Sequence, residues 1–142
     1  MAPKERVVPD GEFAGWTEWL QEPFDEKAGP FFHRLETDGR LIAAFRANRS
    51  HTNGLKLVHG GCLLTLADYA LFTVAVQHCN GDEAVTISLN GEFLGSAREN
   101  DLIIAHPEII KLGRSMVFAR GILKANDKPV LSFSGAMMRV KG

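Results

Sequence analysis

The chain has 142 residues, enough for one domain with a real core, and its 45% hydrophobic and 23% charged content is ordinary for a globular protein. A formal net charge of −1 offers no basic field for a nucleic-acid backbone, and the sequence has no basic arm, RNP-like aromatic run or zinc-finger spacing. A nucleic-acid partner is not expected.

The opening residues, Met1 to Arg6, lack the apolar region of a signal peptide, and residues 1–10 read as a mobile tail. Phe13, Trp16 and Leu20 recur at intervals of three and four. That spacing predicts a short amphipathic helix ending before Pro23, its aromatic face serving as core, as cover for a sheet, or as one wall of a groove. Residues 1–29 are thus expected to be a tail and short helix ahead of a core over 30–140, the whole forming a single domain. Residues 30–36 and 40–49 read as strands, and Asp38-Gly39 between them is a strong hairpin signal. A turn-rich stretch from Ser50 to Gly54 follows.

From Gly60 to Val76 the only charged residue is Asp68. This run predicts a helix from about Gly60 to His78, buried on most sides. Its length is borderline for a membrane span, but the central Asp68 and the lack of a flanking basic cluster favour a core helix. A carboxylate inside such a helix is costly unless it is paired, hydrogen-bonded or used. Asn80-Gly81-Asp82 stops the helix. Cys62 and Cys79 are seventeen residues apart on or just beyond it, roughly 25 Å along a straight axis and too far for a disulfide. They read as small buried thiols in a reducing, cytoplasmic compartment. No histidine or cysteine cluster has metal-ligand spacing, so no metal and no cofactor are expected.

Strand-like runs fill the remainder: 84–93, then 102–110 with Pro107 marking a bulge or an edge, then 116–124, a turn at Asn126-Asp127, and 130–140. The order predicts an α+β fold, an antiparallel sheet wrapped around one long central helix. The other face of the sheet would need cover, which a partner subunit could supply.

Two features of the long helix could carry chemistry. Gly60-Gly61 at its start allows close backbone packing, or presents free N–H groups to a carbonyl oxygen that becomes an oxyanion. Asp68 lies about eight residues on, roughly 12 Å along the axis, whereas reacting atoms must come within about 3–3.5 Å. If both serve one site, they come from two copies of the chain with antiparallel helices. Otherwise Asp68 is a buried carboxylate hydrogen-bonded within a helix interface.

The run Asn53, His59-Gly60-Gly61 and Asp68, with Thr86, Ser88 and Asn90 on the next strand, resembles the hotdog-fold acyl-CoA thioesterases of the phenylacetate-degradation (PaaI-like) and thioesterase superfamily member 2 type. The resemblance covers about residues 30–140. It implies that Asp68 is the nucleophile or the general base that activates water at the thioester carbonyl. It implies further that the Gly60 N–H, with Gly61, holds the carbonyl oxygen, that Asn53 orients thioester or water, and that Thr86 positions the water. His59 would brace the turn, with a direct acid–base role as the lesser reading. Ser88 and Asn90 join Gly61 in the substrate-binding set, and Arg98 and Arg114 are candidates for the coenzyme A phosphates. Such a protein would be a homodimer, and in the common family arrangement a homotetramer. No serine elbow (Gly-x-Ser-x-Gly) is present, and Cys62 sits on an apolar face, so neither is expected to act as nucleophile. The expected activity is hydrolysis of an aryl or short-to-medium acyl-CoA to free acid and coenzyme A. A non-catalytic acyl-CoA binding module, a hotdog hydratase or dehydratase, and an interaction protein are the alternatives. The hydratase lacks its motif here.

Overall fold

The computed structural model describes residues 2–141. In chain order they form β1 (Lys4–Val7), β2 (Thr17–Leu20), α1 (Pro23–Ala28), β3 (Phe32–Leu35), β4 (Leu41–Arg46), a 3-10 turn (Arg49–His51), α2 (Gly60–Val76), β5 (Glu83–Phe93), β6 (Leu102–Leu112), β7 (Met116–Ala125) and β8 (Lys128–Val140). All eight strands lie in one antiparallel sheet in the order β1-β2-β3-β4-β6-β7-β8-β5.

The pleat sends alternate residues to opposite faces, and the composition of each strand follows it. Ala43 and Phe45 of β4, Ile103 and Ala105 of β6, Leu123 of β7, and Leu131 and Phe133 of β8 face α2 and pack with its Leu63, Leu66, Ala67 and Ala70. Alanines on both surfaces let the helix sit close to the sheet, and each fully buried leucine contributes about 1.5–3 kcal/mol.

α2 is less uniformly buried than its composition predicts. Leu64, Thr65, Asp68, Phe72 and Val76 are only half-buried, while Leu66, Ala67, Ala70 and Leu71 are fully enclosed. Spacings of three and four place the half-buried set on one stripe. Asp68 therefore sits at a partly open helix edge rather than in the core, which lowers the cost of its charge.

The N-terminal region departs from expectation. Residues 4–20 form a β-hairpin, not a tail followed by a helix, and β1 pairs with β2 from Lys4↔Leu20 to Val7↔Thr17. The loop carries Gly11 at φ 84° and Gly15 at φ 87°, left-handed conformations that an α-helix excludes. Phe13 and Trp16 are buried, but on the outer face of the sheet, where they pack with Val8, Phe32, Ile42 and Ala44. Phe13 stacks on Phe32 with ring centroids 4.3 Å apart. The chain thus covers one end of its own outer face. Pro23 opens α1 at its first turn, where its missing N–H has no cost, instead of standing beyond a helix end.

Pro107 lies within β6, a strand flanked on both sides, yet β4 pairs with β6 only from Leu102 to Ala105. Beyond that point β6 is bonded to β7 alone, with Pro107 opposite Gly121, and a bulge follows between Ile109 and Lys111. A residue without an N–H is tolerated where the second ladder has ended.

Candidate active site

His59 makes the start of α2. It is the N-cap, and its Nδ1 accepts a hydrogen bond from the Gly61 N–H at 2.8 Å. That bond puts the ring proton on Nε2. It also engages Gly61, which is therefore not a second free donor. The Gly60 N–H has no acceptor among the described residues and stands at the positive end of the helix dipole. A β-carbon at Gly60 would come within 3.0 Å of the Phe93 ring, so glycine is what allows that ring to lie against the helix start.

Asn53 holds the loop before the helix. Its Oδ1 accepts from the N–H groups of Leu55 (2.9 Å) and Leu57 (3.2 Å), and its own N–H donates to the Leu57 carbonyl at 2.8 Å. The carbonyl end of the side chain is thus turned into its own loop, and the amide nitrogen is left as the group that could reach a ligand. This is an Asx-type turn.

Two turns along α2, Asp68 Oδ1 accepts a hydrogen bond from the Thr86 hydroxyl at 2.6 Å. Thr86 points inward because it is opposite Met137, which is buried against α2. A bulge between Thr86 and Ser88 then changes the parity of β5. Leu89 packs into the core, and a β-carbon on Gly91 would meet Leu64 of α2, so these two residues take the inner face. Ser88 and Asn90 are exposed on the opposite face. Ser88 and Asn90, expected in the substrate-binding set, therefore do not share a face with Asp68 within one chain, and the extra bulge residue is the reason.

Asp68 and Thr86 line a cavity of about 460 Å³ together with Trp19, Tyr69, Phe72 and Val85. Three further carboxylates, Glu22, Asp25 and Glu83, belong to that lining, which contains no Lys, Arg or His. Burial, with Glu22 and Asp68 adding repulsion, pushes the Asp25 carboxyl up to about 6. Burial and Glu83 push Glu22 upward too. No three His, Cys, Asp or Glu side chains among the described residues are grouped as a metal site.

Behind the cavity wall lies a buried polar chain. Trp19 Nε1 donates to the Thr73 hydroxyl at 2.9 Å, and that hydroxyl donates to the Tyr69 carbonyl at 2.7 Å. The Tyr69 hydroxyl is 2.8 Å from His33 Nδ1, and the His33 ring stacks on Trp19 at 4.8 Å. Burial holds His33 down to about 4 and raises Tyr69, so both are neutral at physiological pH.

The candidate phosphate ligands do not come together within one chain. Arg98 bridges Leu57 beside the start of α2. Arg114 follows β6 next to Met116, whose partner Met138 pairs with Val85 at the far end of the sheet. Both arginines are exposed. The Cys62 thiol is pushed up to about 11 by burial, which keeps it protonated and unreactive.

Sequence reading missed Trp19, Glu22, Asp25 and Glu83. No local signal could have found them, since they reach Asp68 from strand, helix and loop positions far away in the chain. No helix among the described residues is long and apolar enough to cross a membrane.

An antiparallel sheet wrapped around one long helix is the hotdog arrangement, here with a carboxylate of that helix facing a cavity. Residues 55–132 match the thioesterase superfamily, and the chain belongs to that family. It is 36% identical over 114 residues to a Pseudomonas aeruginosa protein named as an esterase, spanning 80% of this chain and 85% of that one. With mouse acyl-coenzyme A thioesterase 13 it shares 30% identity over 81 residues, so that 56% of this chain spans only 57% of that relative. The solved structure of the E. coli PaaI protein from the phenylacetic acid degradation operon has the same fold, with a TM-score of 0.76 at 22% identity over 86% of this chain and 87% of that one.

Proposed function

We propose that the chain is an acyl-CoA thioesterase that uses Asp68 as general base and the Gly60 N–H of a second copy as oxyanion donor. The observation that carries this reading is the 2.6 Å Thr86–Asp68 hydrogen bond at the wall of a cavity. Because the Thr86 hydroxyl donates to Oδ1, its lone pairs remain to accept a proton of a water molecule lying beside the free Oδ2.

That water attacks the thioester carbonyl carbon and gives a proton to Asp68. The carbonyl oxygen becomes an oxyanion held by the Gly60 N–H at the positive helix end. The intermediate collapses, the C–S bond breaks, and the coenzyme A thiolate takes the proton held by Asp68. The products are the free acid and the thiol. The Asn53 amide nitrogen orients the thioester, and His59 keeps the helix start in shape. Arg98, beside that helix start, is the better placed of the two arginines for a coenzyme A phosphate. The acyl group enters the cavity next to Asp68.

Gly60 and Asp68 are separated along one helix, so each site draws on two chains. β5 supports the pairing: it pairs with β8 alone, leaving an open edge, and Val85, Ile87 and Phe93 expose apolar surface there. A second β5 across that edge would bring the half-buried stripe of one α2 toward that of the other. We propose a homodimer, with a homotetramer as a pair of such dimers.

The test is thiol release from acetyl-, hexanoyl-, palmitoyl- and phenylacetyl-CoA. Asp68→Asn is expected to lower kcat by about 10²-fold or more, and Thr86→Val by about tenfold, with little change in KM. An unimpaired Asp68→Asn would remove Asp68 from its role. Single turnover in ¹⁸O-water tests the nucleophile role: label in the Asp68 carboxylate requires an acyl anhydride opened by water at Asp68, and a general base leaves that carboxylate unlabelled.

A further inference from the structure

The wall of the cavity opposite Asp68 comes from outside the stretch that matches the family. Trp19 on β2 and Glu22 and Asp25 at α1 precede residue 55, where the match begins. Trp19 is fixed by its bond to Thr73, its stack on His33 and an edge contact with Phe72 at 5.4 Å. It gives the cavity a rigid flat side. Glu22 and Asp25, with Glu83 from β5, then surround the space beside Asp68 with negative charge, and no cationic side chain of the same chain lines it. Beyond the lining, Lys4 shares a neighbouring pocket with Glu22 and Glu83, and Arg139 is engaged by Asp82 at 2.8 Å.

Hydrolysis changes the charge of what this cavity holds. A thioester acyl group is neutral at its reacting end; the acid that leaves is an anion, released among carboxylates in a partly desolvated space where repulsion is poorly screened. We propose that the N-terminal segment from Thr17 to Ala28, together with Glu83, is the selectivity element of the site, making it a cavity that admits uncharged acyl groups and expels the free acid. This rests on the thioesterase reading and adds to it a charge rule: acyl groups ending in a carboxylate are refused, and the product does not accumulate as an inhibitor.

The experiment compares matched ligands on the intact protein. Hexanoyl-CoA and adipoyl-CoA differ by a terminal carboxylate; hexanamide and hexanoate differ by charge at the reacting end. Wild type is expected to favour hexanoyl-CoA over adipoyl-CoA by at least about tenfold in kcat/KM and to bind hexanamide at least about tenfold more tightly than hexanoate, as read by quenching of tryptophan fluorescence. Glu22→Gln, Asp25→Asn and Glu83→Gln together are expected to bring both ratios toward one, and each single change to move them part of the way. Equal binding of acid and amide by wild type overturns the proposal, as does a triple variant that keeps both ratios. Failure to bind either ligand also overturns it. Absence of turnover on every acyl-CoA overturns the thioesterase reading instead, and the acid–amide contrast in binding then stands or falls by itself.

Discussion

At the scale of single residues, the informative groups are those whose charge the fold has changed. His33 is buried with its Nδ1 at 2.8 Å from the Tyr69 hydroxyl and its ring under Trp19, while the Glu5 carboxylate is 3.8 Å away. Burial outweighs that acid and moves His33 from 6.5 to about 4. Between those values the unfolded chain binds the proton that the folded chain refuses, so stability present above pH 6.5 is lost as pH falls toward 4. At 1.36 kcal/mol per unit the full loss is about 3 kcal/mol. Asp25 has the opposite sign. Its carboxyl is raised from 3.8 to about 6, so it favours folding at low pH and that contribution is lost as pH rises through this window. Urea unfolding at pH 5 and pH 7.5 should show wild type weaker at the lower value, and His33→Gln should flatten the difference. An unchanged pH slope in that variant would remove His33 as the cause. Asp68 was legible as the residue to explain, because it is the one charge in a seventeen-residue helix. Asp25 was not, since nothing in its local sequence marks a carboxylate that will face another about forty residues away.

At the scale of elements, α2 was read to within two residues at its C-terminal end, because a long uncharged run ending at Asn80-Gly81 admits few other structures. The β3–β4 hairpin followed from Asp38-Gly39, where Gly39 has φ 86°. The stretch from Gly11 to Leu20 was misread. Its aromatic spacing fits a helix, but pairing with β1 and packing of Phe13 and Trp16 on β3 and β4 decided the conformation. The bulge at Ile87 was equally invisible, and it alone separates Thr86 from Ser88 and Asn90. His59 offers a test at this scale. His59→Ala removes the cap of α2 and should cost about 1 kcal/mol in urea unfolding, with a moderate fall in kcat. His59→Asn, which can cap but cannot transfer a proton in the same way, should restore both. Restored stability without restored turnover would instead give His59 a part in the chemistry.

At the scale of the whole molecule, the open edge of β5 is the feature that connects fold to activity. A charge placed there should keep two copies apart while leaving each chain folded. Ile87 is 54% exposed at the bulge and does not line the cavity. Ile87→Lys is expected to shift light scattering toward the monomer and to lower thiol release in step, with wild-type rates returning at protein concentrations that restore association. Full activity in a stable monomer would refute a site shared between chains.

The sequence by itself determined the helix, its solitary carboxylate, the glycine at its start and the strand-rich remainder, because each is specified by a local pattern of polarity and turn chemistry. It also carried the resemblance that the family match supports. Only the tertiary structure decided what surrounds Asp68. Thr86 faces inward opposite Met137 while the bulge turns Ser88 and Asn90 to the other face, the hairpin covers one end of the outer face of the sheet, and β2 and α1 bring Trp19, Glu22 and Asp25 to the cavity wall. Those contacts join residues far apart in the chain, and their energy comes from packing and burial that no single segment contains.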